Sequence, residues 1–406
     1  MSDQTPITIL DIGTTKVICM QVRPDQSTPG FEVLGYAYLP CTGLSRGSVV
    51  DIDTTVHAVR SAVKEVESQT NSRIRDVMIG LSGLHVSSTA SNGIVGIRNK
   101  EVTTVDVERV IEAAKAIAIP DNQTLIHTLP QEFIVDGQAG VKKPIGMNGV
   151  RLEACVLMLR AVTSALQNVV KCVEMCGLRV KQVIAQPVAV SQSVLSADEK
   201  DLGVCLLDIG GGTTDVGVCK RGALRHVSSV PIAGEHVTND LAVALCTPPK
   251  SAEAIKVAHG KIISTEYEGA QHITVDSLSN QSTQKVSTQL LSEVIEARYH
   301  EILSFVKRDL KEKQLLDMIP GGIVITGGGA LVPGLVDLTK RVFNCQARIA
   351  EPTIVLQDRT LVDAGYAASL GLILQALQER DRLDGSKAGA VTRMWTAFQH
   401  WLDYHL

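Results

Sequence analysis

Two aspartates carry the first chemical signal in this chain. Asp11 ends the apolar run that starts at Ile7 and is followed by Gly13, Thr14, Thr15 and Lys16. Asp208 ends the run that starts at Val204 and is followed by Gly210, Gly211, Gly212 and Thr213. The tetrapeptide Leu-Asp-Ile-Gly occurs in both places, at 10–13 and at 207–210. A glycine turn lets backbone N–H groups approach an anion with no Cβ in the way, and the hydroxyls beside it add donors. A carboxylate at a strand end next to phosphates suits Mg²⁺, which keeps several of its waters and meets acids through them. A third turn, Gly327–Gly328–Gly329, follows the strand-like run Gly322–Thr326. Three such turns in this order, two of them duplicates, point to phosphate binding.

The flanking pattern defines the elements that must hold these turns. Both duplicates are apolar before the turn and after it, so each reads as strand, tight turn, strand. A dinucleotide-binding loop would open a helix, but Val216–Cys219 continues as a strand; a P-loop would need GxxxxGK[ST], which is not present. Two copies half a chain apart imply two similar lobes with their turns facing one another. Spacing predicts helices over Ile52–Glu67 (capped by Asp51), Thr104–Ala118, Val162–Cys176, Val188–Leu195, Ala242–Gly260, Ser292–Leu316 and Val362–Gln378. Strands are expected over Arg75–Leu81 and Val180–Ile184, a loop over Val135–Gly149 and a charged linker over Glu379–Gly389.

The composition sets the outer bounds. The chain has 406 residues, 45% hydrophobic and 20% charged, enough for full apolar cores. A net charge of -4 gives no global footprint for nucleic acid, and no nucleic-acid partner is expected. Nine cysteines without a CxxC pair, behind the polar opening Met1–Pro6, suggest buried thiols in a reducing cytoplasm. Aromatic residues are only 3% of the chain, yet Trp395, Phe398, Trp401 and Tyr404 crowd its end. Val391, Met394, Trp395, Phe398, Trp401 and Leu402 form one apolar stripe at helical period, with Arg393, Thr396, Gln399, His400 and Asp403 at other positions. That pattern suits a helix lying in a membrane interface, with Trp at headgroup depth. It carries little net positive charge, so attraction to anionic lipid should be weak.

The order of two phosphate hairpins and a third glycine turn resembles the actin/Hsp70/sugar-kinase superfamily. Within it, LPQEFIVDGQAGVKKPIGMNGVRLEA (Leu129–Ala154), TPPKSAEAIKVAHG (Thr247–Gly260), EVIEARYHEI (Glu293–Ile302) and the amphipathic terminus resemble the FtsA family of actin-like bacterial cell-division proteins, along essentially the whole chain. The resemblance implies an α/β, actin-like two-lobed ATPase fold, built from duplicated ribonuclease H-like domains with an inserted small subdomain. It implies ATP and Mg²⁺ between the lobes. Asp11 and Asp208 would face Mg²⁺ through water. Gly13, Thr14, Thr15 and Lys16 would line the first phosphate turn, and Gly210, Gly211, Gly212 and Thr213 the second. Gly327, Gly328 and Gly329 would lie against adenosine, with Glu253 at the ribose hydroxyls, Lys256 beside adenine and Gly234 near the nucleotide. Gln186 falls where the superfamily positions the attacking water. A glutamine orients water but is a poor base, so at most slow hydrolysis is expected.

The same resemblance divides the chain. Residues 1–83, 162–200 and 362–378 would form the first lobe's core, and 84–161 the inserted subdomain. Residues 201–241 and 317–361 would form the second lobe's core and 242–316 its small subdomain, followed by a linker at 379–390 and the membrane helix at 391–406. The expected partners are the C-terminal tail of the tubulin-like GTPase FtsZ, met by Arg298, Tyr299 and Glu301, further copies of the chain, later division proteins and membrane lipid. The expected place is the cytoplasmic face of the membrane at the division site. Two rival readings use the same scaffold. A small-molecule kinase would need a substrate pocket with a catalytic carboxylate, and a PilM-like pilus-assembly adaptor would need neither the terminal helix nor the Thr247–Gly260 segment.

Overall fold

A computed structural model describes residues 5–25, 30–262, 272–277, 283–353 and 361–384. The first lobe opens with the hairpin β1 (Ile7–Ile12) and β2 (Lys16–Asp25), continued by β3 (Gly30–Pro40). A two-rung hairpin, β4 (Leu44–Ser45) and β5 (Ser48–Val49), leads to α1 (Ile52–Thr70) and β6 (Asp76–Leu81). Asp51 caps α1 as the sequence predicts, accepting the Thr54 N–H at 3.0 Å. An inserted unit follows: β7 (Val86–Gly96), α2 (Thr104–Lys115), β8 (Gln123–Val135), β9 (Gln138–Val141) and β10 (Arg151–Val162). The chain returns to the first lobe with α3 (Thr163–Glu174), β11 (Arg179–Ala185), α4 (Gln186–Val194) and α5 (Ala197–Leu202).

The second lobe repeats the plan with β12 (Val204–Ile209), β13 (Thr214–Lys220) and β14 (Ala223–Val230). Then come α6 (Gly234–Ala244), α7 (Pro249–His259), the hairpin β15 (His272–Asp276) and β16 (Thr283–Ser287), and α8 (Thr288–Glu312). It closes with β17 (Ile323–Thr326), α9 (Leu335–Phe343) and β18 (Ala347–Ile349); α10 (Ala367–Asp384) crosses back to the first lobe. The two sheets have the same order, β11-β6-β1-β2-β3 and β14-β13-β12-β17-β18, so the duplicated motif marks a duplicated domain. In each, the first two strands are antiparallel and the fourth joins parallel to the first, β6 on β1 and β17 on β12.

Period-two alternation sorts the side chains of β1. Leu10 and Ile12 pack toward α1, while Ile9 joins Leu370, Leu372 and Ile373 of α10 on the other face. In the second lobe, Leu207 and Ile209 pack toward α6 and α8, whereas Val204 and Leu206 share a core with Val188 and Val190 of α4. An apolar core thus runs from one sheet through α4 to the other. The inserted unit has a separate core under α2, with Phe133 and Leu152 fully buried. It leans on the second lobe: Ser88 Oγ accepts from Val227 N and donates to Val227 O, both at 2.9 Å, and Gln131 Nε2 donates to Leu224 O at 3.2 Å.

Three expectations are corrected. The single helix expected over Ala242–Gly260 is two, α6 and α7, interrupted at Leu245–Pro248 because consecutive prolines supply no N–H to continue the ladder. The loop expected over Val135–Gly149 contains β9, which pairs with β8 through the tight turn at Asp136 and Gly137, both at positive φ. The stretch expected to be linker from Glu379 is helical through Asp384, the last described residue, and its remainder lies outside the described residues. Among the described residues no helix is long and apolar enough to cross a membrane.

Candidate functional site

The two duplicated turns are closed by the same bond. Gly13 N donates to Lys16 O at 2.8 Å, and Gly210 N donates to Thr213 O at 3.0 Å. The strand registers Ile12↔Val17 and Ile209↔Thr214 make Thr14 the counterpart of Gly211 and Thr15 the counterpart of Gly212. The turns meet across the cleft. A Cβ at Gly211 would lie 2.5 Å from Thr15 Cγ2, and one at Gly212 would lie 2.5 Å from Thr14 Oγ1. The threonines of one turn therefore fill the space that the glycines of the other leave open. The start of α6 supports the second turn from behind, Gly234 N donating to Gly210 O at 3.1 Å and Glu235 N to Gly211 O at 2.8 Å. In the third turn Gly327 has φ 88° and ψ 163°, a region that a side chain excludes, and a Cβ there would sit 2.3 Å from Asp208 Oδ1.

The alternation that points Ile9 at α10 also points Asp11 toward the starts of α4 and α10. Gln186 Nε2 donates to Asp11 Oδ1 at 2.6 Å and Ser369 Oγ donates to Oδ2 at 2.9 Å. Burial pushes the Asp11 carboxyl up, opposed by Lys16 and by these two donors. Asp208 is pushed up to about 7, first by burial and then by the charges of Asp215 and Asp11. Asp215 is pushed up to about 6 by burial, with the Ser229 and Ser82 hydroxyls and the Gly83 N–H working the other way. Among the described residues, Lys16 is the one ammonium lining this cleft. Its Nζ donates to Gly365 O at 2.6 Å and stands 5.2 and 5.8 Å from the ring centres of Tyr38 and Tyr366. Buried acids that resist ionising make a site that a cation stabilises. Among the described residues no group of three or more His, Cys, Asp or Glu is placed to hold a metal directly. The donor set therefore fits a hydrated Mg²⁺ met through water.

One cavity between the lobes is lined by Asp11, Gly13, Thr14, Thr15, Lys16, Gln186, Asp208, Gly210, Gly211, Gly212, Thr213, Gly327 and Gly328. Gly234, Glu253, Lys256 and Gly329 stand outside its wall but next to it. Lys256 Nζ donates to Gly234 O at 3.0 Å and to Thr238 Oγ1 at 2.7 Å, and pairs with Glu253 at 2.6 Å. Sequence reasoning did not single out Asp215, Ser82, Ala364, Gly365 and Ala368 as lining residues. Asp215 closes the very motif that holds Asp208 and was legible there. The others arrive from segments with no local signal.

The expected peptide contacts divide. Arg298 on α8 forms a two-bond pair with Asp240, at 2.5 and 2.9 Å, and also bonds Glu301. Tyr299 is not on that surface. It is fully buried, and its hydroxyl donates to Gly329 O at 2.6 Å, so it supports the third glycine turn and is out of a docked peptide's reach. Val391, Met394, Trp395, Phe398, Trp401 and Leu402 lie outside the described residues.

Comparison with known proteins agrees with this geometry. The family model for cell division protein FtsA matches residues 205–371, and the model for the SHS2 domain inserted in FtsA matches residues 83–159. The cell division protein FtsA of Pseudomonas aeruginosa is 41% identical over 385 residues, covering 94% of this chain and 92% of that protein. The FtsA of Bacillus subtilis is 35% identical over 384 residues, covering 94% and 85%. Among solved structures, the PilM–PilN type IV pilus biogenesis complex aligns at TM-score 0.65 and 17% identity, covering 92% of this chain and 99% of that one. MreB5 of Spiroplasma citri bound to ADP aligns at TM-score 0.56 and 16% identity, covering 95% and 99%. At such identities the structural likeness establishes the shared actin-like fold and nothing finer.

Proposed function

The chain belongs to the FtsA family of cell-division proteins, and from that premise we propose that it binds ATP with Mg²⁺ between its lobes, polymerises, and tethers FtsZ filaments to the cytoplasmic face of the membrane at the division site. The observation that carries the nucleotide reading is the meeting of two duplicated glycine turns over three buried carboxylates and one lysine. In this reading the turns cradle the phosphates. Asp11 and Asp208 would hold Mg²⁺ through water, and the ion would supply neutralisation of phosphate charge. The third glycine turn and the Glu253–Lys256 pair border the adenosine end, and Gln186 orients a water for slow hydrolysis.

The partner and membrane parts rest on sequence and family. The inserted subdomain (84–161) would meet neighbouring subunits and later division proteins, and Arg298 and Glu301 would meet the FtsZ tail from α8. Coiled as one helix, the sixteen residues 391–406 would make about 24 Å at ~1.5 Å per residue, too short and too polar on one face to span a bilayer. About five half-buried large side chains stabilise the bound state by roughly 4–8 kcal/mol, opposed by the entropy of ordering the helix. One anchor is therefore marginal, and a polymer presenting many binds far more tightly. Nucleotide state, polymerisation and membrane attachment are linked in this scheme.

Co-pelleting with ATP, liposomes and an FtsZ tail peptide tests the three parts together. Trp395→Glu, or deletion of 391–406, should release the protein from liposomes while ATP binding persists. Full liposome binding by the truncated protein would refute the anchor, and absence of heat on mixing with ATP and Mg²⁺ in a calorimeter would refute the cleft.

A further inference from the structure

We infer that three residues at the entry to α10, Gly365 and Tyr366 in the turn just before it and Ser369 in its first turn, are positioning residues for the two charged groups of the first glycine turn, Asp11 and Lys16. The inference deepens the ATP–Mg²⁺ reading of the cleft and rests on it. Asp11 and Lys16 stand at the two ends of one turn, and the segment from Asp363 to Ser369 reaches both. Ser369, fully buried, donates its hydroxyl to Asp11 Oδ2 at 2.9 Å. Gly365 O takes the Lys16 ammonium at 2.6 Å, and the Tyr366 ring stands 5.8 Å from that ammonium. The Tyr366 ring is itself set edge-on to Tyr38, their centres 6.2 Å apart, so the Lys16 ammonium stands beside a pair of mutually packed rings. Asp363 fixes the segment by accepting Gly365 N at 2.6 Å, and Gly327 N donates to Ala364 O at 3.1 Å, which ties the same segment to the third turn.

The chemistry separates the two tasks. Asp11 is to meet a hydrated cation, so the direction of its free lone pairs decides how well the cation's waters are received. With Gln186 on Oδ1 and Ser369 on Oδ2, rotation of the carboxylate is blocked and its remaining lone pairs keep one orientation. Lys16 is to meet phosphate directly. A long flexible side chain loses rotamer freedom on doing so, and the aromatic and carbonyl contacts remove that freedom beforehand. Ser369 therefore acts on the metal-dependent share of affinity, while Tyr366 acts on the metal-independent share.

The test is equilibrium binding of a fluorescent ATP analogue to the full-length protein, with Mg²⁺ and with excess EDTA. Ser369→Ala should weaken binding with Mg²⁺ by roughly three- to tenfold, on the order of one hydrogen bond's net worth, and leave binding in EDTA unchanged. Ser369→Thr, which keeps the hydroxyl, should restore the Mg²⁺ dependence. Tyr366→Leu should weaken binding by roughly two- to fivefold in both conditions alike. A Ser369→Ala protein with wild-type Mg²⁺ dependence, or a Tyr366→Leu protein that binds as tightly as wild type, would overturn the inference alone. Wild-type protein whose affinity ignores Mg²⁺ would instead remove the reading beneath it, and the inference with it. If Ser369→Ala does not fold, the Tyr366→Leu pair of measurements still decides.

Discussion

Replacing Gly327 by alanine separates the roles of three consecutive glycines that look alike in the sequence. Gly327 has φ 88° and ψ 163°, a conformation that costs a residue with a Cβ about 1–3 kcal/mol. The new Cβ would also lie 2.3 Å from Asp208 Oδ1 and 2.5 Å from Ile209 O, so the backbone of the second hairpin has to move. Overpacking of that kind costs about 1–3 kcal/mol more. The sum, about 2–6 kcal/mol, is a large share of the ~5–15 kcal/mol that holds a typical domain together. A Cβ at Gly328 meets nothing within 4 Å, so Gly328→Ala should stay within about 0.5 kcal/mol of wild type. A Cβ at Gly329 meets Ile209 Cγ2 at 2.6 Å and Ile209 O at 2.9 Å, which places Gly329→Ala between the two. Urea denaturation followed by circular dichroism measures all three, with the slope checked for constancy. The reasoning fails if Gly328→Ala costs as much as Gly327→Ala, or if Gly327→Ala is neutral.

Three further outcomes are expected. The Asp215 carboxyl is raised in the fold to about 6 from its ordinary 3.8, so the folded state binds its proton more tightly than the unfolded chain does. The resulting stabilisation, roughly 3 kcal/mol at most, is present below about pH 4 and lost as pH rises to about 6. Asp215→Asn should therefore flatten the fall in melting temperature across that range and raise it at pH 7, and an unchanged slope would count against the assignment. Tyr299→Phe removes the bond to Gly329 O and should cost about 1 kcal/mol in a melt while leaving intact the FtsZ-peptide binding proposed above. Loss of peptide binding with unchanged stability would return Tyr299 to the surface. Ser88→Ala leaves the buried Val227 N–H without its acceptor, and should cost about 1–3 kcal/mol and speed hydrogen exchange at that amide; an unaltered exchange rate would mean the inserted unit is held elsewhere.

The readable part of the fold was what local pattern dictates. Asp51 before a helical stripe and two apolar runs around a glycine turn each fix their own conformation, and α1 and both hairpins stand where the sequence puts them. Tyr299 shows how such a pattern can be overruled by mistake. It lies four residues after Ile295 and three before Ile302, squarely on the buried stripe of α8, yet the family segment around it suggests a surface contact. The period was right, because a single hydroxyl is easily satisfied in a core when a carbonyl is in line. The Asp136–Gly137 turn is the reverse case, a strong hairpin signal hidden by the weak alternation of Gln138–Val141. The Pro248–Pro249 pair should have divided the predicted helix on chemical grounds alone. Ser369 had no signal of any kind, since its meaning comes from a partner 358 residues away in sequence, and only the crossing of α10 over β1 creates it. Glu379–Asp384 shows the limit of reading charge as linker, because Glu, Arg and Leu are good helix formers and carry α10 through Asp384.

The inserted unit belongs covalently to one lobe and is fastened by hydrogen bonds to the other. Its roots are β6 and α3, while Ser88 and Gln131 hold the backbone of β14 at Val227 and Leu224. A hinge motion that parts the lobes must then shear a strap on the far side of the axle. The same seam carries charge, since Glu132 of the inserted unit stands 3.8 Å from both Arg221 and Arg225, and salt screens such pairs while leaving the bonds of Ser88 and Gln131 to Val227 and Leu224 in place. Added salt should accordingly ease the opening of the jaws only in part, and whatever grips or pulls the strap should govern the rest.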